Sequence, residues 1–199
     1  MKRSSQSLLL AIVVSGSLAC SSTDPSTDPG TGGDAGTGGA AGLSEWRIFR
    51  TEAIQNANLG GVAGADAICA AQALDAGLEG EFKAWLSTIV SPVADRVTQA
   101  VGPYVLVDGN LVANDWDDLV DGSILVPINL DANGVERAGE VWTGTLADGT
   151  SYLDDDCGGF TNGSTGMALC GATASTTETW TANITPVCST HLGLYCIEQ

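Results

Sequence analysis

The sequence predicts an α+β domain. The stretch GGVAGADAICAAQAL (60–74) carries helical spacing, and NDWDDLVDG (114–122) carries a capped, shorter helical pattern. Between and after them lie many short apolar runs, two of them broken by Asp-Gly turn signals. Two helices and many short strands joined by long loops fit no all-α or all-β architecture.

The elements follow in order. EWRIFRT (45–51) alternates Trp46 and Ile48 with polar neighbours, so a first strand is expected. In the first helix Val62, Ala65, Cys69, Ala73 and Ala76 recur on one face, with Ile68 beside them. Small residues on that face let the helix axis lie close to what it packs on. Asp66 is expected in the first turn, where the helix dipole favours an anion. Gly77 followed by Leu78 signals a left-handed C-terminal stop. EFKAWLS (81–87) alternates as a strand, and PYVLVDGNLVAN (103–114) reads as a hairpin around Asp-Gly. Asn114 or Asp115 caps the second helix, and Trp116, Leu119 and Val120 form its apolar side. ILVPIN (124–129), EVWTGTLADGTSYLDDDC (140–157) and HLGLYCIEQ (191–199) are read as further strands. Most of the five Trp residues are expected in the core.

Before this domain, assigned to residues 44–199, stand two segments of another kind. Residues 1–19 read as a signal peptide: Lys2 and Arg3, then the apolar LLLAIVV (8–14), then SLAC (17–20). The last resembles the lipobox of bacterial lipoproteins, with Ser17 where leucine is usual, which makes Cys20 the lipidated residue. Plain cleavage after Ala19 is the alternative, giving a secreted or periplasmic protein. Ser21, not being an aspartate, agrees with sorting to an outer membrane. Residues 20–43 then form a tether rich in Gly, Thr, Asp and Pro that cannot bury a core. Export implies an oxidising compartment, so the remaining cysteines are disulfide candidates.

Charge excludes some partners. Seven Lys and Arg oppose 24 Asp and Glu, a net charge of −17. Such a surface repels phosphate backbones and sulfated polyanions, so neither nucleic acid nor heparin is expected as a partner.

GVAGADAICAAQALDAGLEGEFKAWLS (61–87) resembles the matching stretch of endostatin, the C-terminal fragment of a basement-membrane collagen. The likeness continues through NDWDDLVDGSI, VWTGTLADGTSYLDDDC and CSTHLGLYCIE, in the same order over nearly the whole domain. It is closer still to the bacterial endostatin-like lipoproteins. The resemblance implies a C-type lectin-like fold with two helices and short, mostly antiparallel strands. It implies two nested disulfides, Cys69–Cys196 and Cys157–Cys188. Cys170 has no counterpart in that pattern; with Cys20 lipidated it is expected as a free thiol, and without lipid the two could pair, at an entropic cost from the tether. The vertebrate relative's arginine cluster for heparan sulfate and its N-terminal histidines for zinc have no equivalent here.

Catalytic constellations are weak. His191 is the only histidine, and its place between Cys188 and Cys196 suggests a structural role. NGSTG (162–166) resembles a G-x-S-x-G elbow but has Asn162 where glycine belongs. Asp115, Asp117 and Asp118 form one acidic cluster; Asp154, Asp155 and Asp156 form the better candidate for calcium. No loop completes an EF-hand, and the sugar-binding tripeptides of true C-type lectins are missing. No cofactor is required by this reading. The expected function is a non-enzymatic binding or adhesion module, anchored by lipid in the outer membrane or at the cell surface, for an extracellular protein or glycan. The alternatives are a structural envelope protein without a specific ligand and, last, a hydrolase. Loops within 110–185 are expected to carry any binding surface, and the run GGFTNGSTGMALCGATASTTE (158–178) is read as too polar for the core.

Overall fold

The computed structural model describes residues 43–199. The readings of 1–19 as a signal peptide, of Cys20 as lipidated and of the tether up to residue 42 lie outside the described residues.

Seven short strands make one mixed sheet: β1 (Trp46–Arg50), β2 (Phe82–Ala84), β3 (Tyr104–Val105), β4 (Leu111–Ala113), β5 (Glu140–Trp142), β6 (Cys170–Ala172) and β7 (Gly193–Glu198). The order is β4-β3-β1-β7-β5-β6, with β2 also on β7. β7 is the hub. On one side Tyr195–Ile197 pairs antiparallel with Ile48–Arg50 of β1. On the other, Gly193 and Leu194 run parallel to Val141 and Trp142 of β5, and Cys196–Glu198 runs antiparallel to β2. β1–β3 and β5–β7 are the parallel pairings, and the remaining four are antiparallel.

β7 is apolar at nearly every position because both its faces are covered. Leu194 and Cys196 enter one cluster with Phe49, Phe82, Trp142 and Phe160. Tyr195 and Ile197 enter a second with Ile48, Trp85, Trp116 and Trp180. Period-two alternation is what sends successive residues to opposite layers. Trp85 stacks at 5.0 Å from Trp180 and 5.7 Å from Trp116, and Trp180 lies 5.7 Å from Tyr195. Four of the five Trp side chains are buried, as expected; Trp46 is half-buried.

Helix α1 (Gly61–Asp75) covers the first cluster. Its buried residues are Ala65, Cys69 and Ala73, and Val62, Ile68 and Ala76 pack beside them. Cys69 is bonded to Cys196 of β7, with the Cα atoms 5.4 Å apart. A disulfide tolerates only about 4.4–6.8 Å between Cα atoms, so the helix backbone must lie against the strand, and large side chains at Ala65 or Ala73 would hold it away. The small-residue face is therefore the counterpart of the bond. Gly64 shows the same tightness at the helix start: a Cβ there would stand 2.0 Å from the Leu59 carbonyl oxygen. The C-terminus stops as expected. Gly77 takes φ +73°, its N–H donates to the Leu74 carbonyl, and the Leu78 N–H donates to that of Ala73.

Asp66 differs from the expectation. No acidic residue occupies the first turn. The carboxylate of Asp66 instead accepts from Arg96 Nη2 at 2.7 Å and from the Ala84 N–H at 2.9 Å, fastening α1 to β2. A fixed cation and a strand-edge donor satisfy this carboxylate directly, so the dipole is not its partner.

Helix α2 (Trp116–Leu119) is capped by Asp115, which accepts from the Asp118 N–H at 3.0 Å. The hairpin at 103–114 turns at Asp108-Gly109, with φ +86° at Gly109. Three expectations fail. Residues 124–129 are not a strand; Pro127 offers no N–H, and Ile124 and Leu125 bond to separate segments, at Thr176 and Val112. Only Glu140–Trp142 of 140–157 is strand, because the Thr143 and Thr145 hydroxyls bond backbone carbonyls in a buried loop. The run 158–178 contains core: Phe160, Ala168, Leu169 and Cys170 are buried, and β6 lies within it. Gly171 permits this, since a Cβ there would stand 2.0 Å from the Trp180 carbonyl oxygen. A further single turn, α3 (Cys157–Phe160), has positive φ throughout: 54°, 65°, 67° and 57°.

The second disulfide is Cys157–Cys188, with Cα atoms 5.8 Å apart. Both bonds have the connectivity that the resemblance implies. They are the chemistry of an oxidising, extracytoplasmic compartment. Among the described residues no helix is long and apolar enough to cross a membrane. Replacing Cys69 and Cys196 together by alanine opens a loop spanning 127 residues in sequence. By loop-closure entropy this loses up to about 5 kcal/mol, against up to about 3.7 kcal/mol for the Cys157/Cys188 pair. Urea titration of the two double variants should place the first at the lower midpoint.

Candidate functional site

A groove of about 540 Å³ opens between two loops, 87–93 and 144–156. Ile89, Val90, Pro92, Leu146 and Leu153 line it. Val90 is 90% exposed and Leu153 67%, so this apolar surface faces solvent. Isolated exposed apolar residues are ordinary; here four of them, Ile89, Val90, Leu146 and Leu153, meet along one groove.

Within the acidic segment 154–156, Asp156 ties the two groove loops together. Asp156 accepts from the Ile89 N–H at 2.9 Å through one oxygen and from the Gly159 N–H at 2.7 Å through the other. Asp155 accepts from the Cys157 and Met167 N–H groups at 3.1 and 2.9 Å. Asp154 accepts from the Tyr152 hydroxyl at 2.8 Å. Ser151 adds a bond to the Thr88 carbonyl at 2.7 Å, across the same two loops. Five carboxylate oxygens are thus committed to protein donors. Among the described residues no set of three or more His, Cys, Asp or Glu side chains is placed to hold a metal ion. These bonds organise the loop backbone around Asp154, Asp155 and Asp156, the carboxylates read as the calcium candidate. The other cluster is likewise local, with Asp115 as the cap and Asp118 accepting from Asn114.

Two carboxylates adjoin groove residues in sequence. Asp148, at the turn beside Leu146, receives the Thr150 hydroxyl at 2.6 Å and the Thr150 N–H at 3.0 Å. These bonds hold its pKa below the usual carboxylate range. Asp154 stands next to Leu153 in sequence.

The remaining candidates separate. The Ser164 hydroxyl donates to Asn162 Oδ1 at 2.9 Å within a local turn, so NGSTG is not a strand–turn–helix elbow. His191 is exposed, not part of the packed interior. Cys170 has no disulfide partner among the described residues and is fully buried, facing Trp142 in the β5–β6 pairing. Burial, and then the charge of Glu140, push its thiol pKa up to about 12. A neutral, enclosed thiol is a poor nucleophile.

Of the groove, sequence reading covered the 144–156 loop and missed Ile89, Val90 and Pro92. The available signal was a short apolar run beside a proline, following a strand whose alternation had ended. In comparisons with known proteins, no family model matches the chain and no curated protein matches it.

The Cys170 thiol should fail to react with an aromatic disulfide reagent in the folded protein. Unfolding without reductant should release one reactive thiol from the domain. Rapid labelling of the native state would contradict its enclosure.

Proposed function

We propose that this protein is a non-enzymatic binding or adhesion module of a bacterial envelope, exported and held in the outer membrane or at the cell surface by a lipid on Cys20. The observation that carries the reading is the apolar groove of Ile89, Val90, Leu146 and Leu153, with Asp148 and Asp154 adjoining it in sequence. The occupant that suits it is an extracellular protein segment with an apolar centre and basic flanks. The net charge of −17 favours such a partner and speeds its approach. The finer fold assignment, C-type lectin-like and of the endostatin type, belongs to this proposal. Its support is the sequence resemblance together with the nested disulfides and a last strand that pairs with the first.

Mass spectrometry of the mature N-terminus tests the anchor: diacylglycerol on Cys20 is expected, and an unmodified N-terminus after Ala19 would contradict it. An array of matrix proteins and glycans, run beside a general hydrolase screen, tests the activity class. The expected outcome is binding to a basic protein without turnover. Binding should weaken as salt passes about 0.1 M, where the Debye length is about 10 Å. Substituting Val90→Asp and Leu153→Asp together changes only exposed positions. Melting should stay near wild type while array binding falls at least about tenfold. Unchanged binding would remove the groove as the contact surface, and a silent array would favour the structural envelope role.

A further inference from the structure

Arg50 ends β1 and is only 4% exposed. The ion pairs among the described residues are Arg47–Glu198, Arg96–Asp66, Arg137–Glu52 and Arg137–Asp131. Arg50 belongs to none of them. Its Nε is buried without a hydrogen-bond partner among the described residues. Asp131, whose charge it feels, is already occupied by Arg137 Nε at 2.8 Å and by the Asn133 and Val135 N–H groups. A buried guanidinium without an anion is costly, and it stays charged because no protein environment readily deprotonates it.

The surroundings repeat the same shortage of acceptors. Tyr195 sits directly opposite Arg50 in the β1–β7 register, so the two side chains share one face of the sheet. The Tyr195 hydroxyl is buried and also lacks a partner. Burial raises its pKa well above the ordinary value, so it remains a donor. The guanidinium is the group that an anion in the adjoining cleft could satisfy.

Arg50 opens onto a cleft of about 500 Å³. Ile54, Ala172 and Leu192 form apolar walls, and Glu140 and His191 also line it. The cleft shares no residue with the groove described above. Gly193 makes room for the guanidinium: a Cβ there would stand 2.5 Å from Arg50 Nη2.

We propose that this cleft binds a small organic monocarboxylate, its carboxylate on the Arg50 guanidinium and its short apolar body against Ile54, Ala172 and Leu192. One guanidinium matches one carboxylate in charge and in planar geometry. A multiply charged phosphate would meet Glu140 and the acidic field of the whole domain, with Arg50 the one Lys or Arg in the cleft lining. The apolar walls select for a hydrocarbon chain over acetate alone.

His191 is the chain's only histidine, so its imidazole gives a single NMR reporter at the site. Hexanoate is the probe; hexanol, hexylamine and inorganic phosphate are the controls, with the mature protein at constant ionic strength. The expected result is a saturable shift of the His191 resonances with hexanoate. Loss of one charge-assisted contact should make hexanol at least about tenfold weaker. Hexanoate should also raise the melting temperature, as any ligand of the native state alone does. Two variants sharpen the test. Arg50→Met removes the buried charge and should melt at or above the wild-type temperature while losing the hexanoate response. Ile54→Asp, at a half-exposed wall position, should leave melting unchanged and weaken hexanoate at least about tenfold by charge repulsion. Equal binding of hexanoate and hexanol, tighter binding of phosphate, or full hexanoate affinity in Ile54→Asp would each overturn the proposal. Should Arg50→Met fail to fold, the Ile54→Asp variant and the control ligands decide it.

Discussion

The contact between α1 and β7 at the Cys69–Cys196 bond is the constraint on which the rest of the structure depends. It fixes the helix backbone 5.4 Å from the strand at that point. Residues 193–198 in turn hold three other strands, β1 on one side and β5 and β2 on the other. A six-residue strand cannot carry that much pairing unless both its faces are dry, and α1 covers one of them. The second face is closed by the Trp85, Trp116 and Trp180 cluster. Removing water from both faces strengthens every ladder bond that β7 makes.

This constraint explains a composition that would otherwise be unusual. A helix reading GVAGADAICAAQALD offers little apolar area at each position. Its value lies in close approach instead, and what it lacks in area is returned by a covalent bond and by Asp66 bridging Arg96 and Ala84. The loops behave similarly. Asp155 and Asp156 bond to Met167 and Ile89 where residues 143–157 lack regular pairing, and the exposed groove is left open between the two loops that Asp156 joins.

Much of this was legible in the sequence, and the failures share a cause. α1, its Gly77 stop, the Asp115 cap and the Asp108-Gly109 hairpin were readable because each depends on neighbours within a few residues. The disulfide pairing came from the family resemblance, not from any local rule. β6 was hidden because Gly171 and Cys170 are core only through the distant Trp180 backbone and Trp142. The apolar Ile124, Leu125, Val126 and Ile128 made ILVPIN look like a strand, against the missing donor at Pro127. Asp66 was misassigned for the same reason: its cation lies 30 residues away in sequence. The site followed this pattern. Arg50 was readable as a strand residue, whereas its burial without an anion is a fact about residues 131, 137 and 195.

The most direct test of the account is to enlarge the helix face where it meets the sheet. Ala65 is fully buried in α1. Ala65→Leu adds apolar surface and keeps helix propensity high, so an account based on hydrophobic area alone expects a gain in stability. If close approach enforced by the α1–β7 contact governs the fold, urea unfolding of the oxidised protein should instead show a loss of about 1–3 kcal/mol from overpacking. Equal or greater stability of the leucine variant, with both disulfides intact, would contradict it.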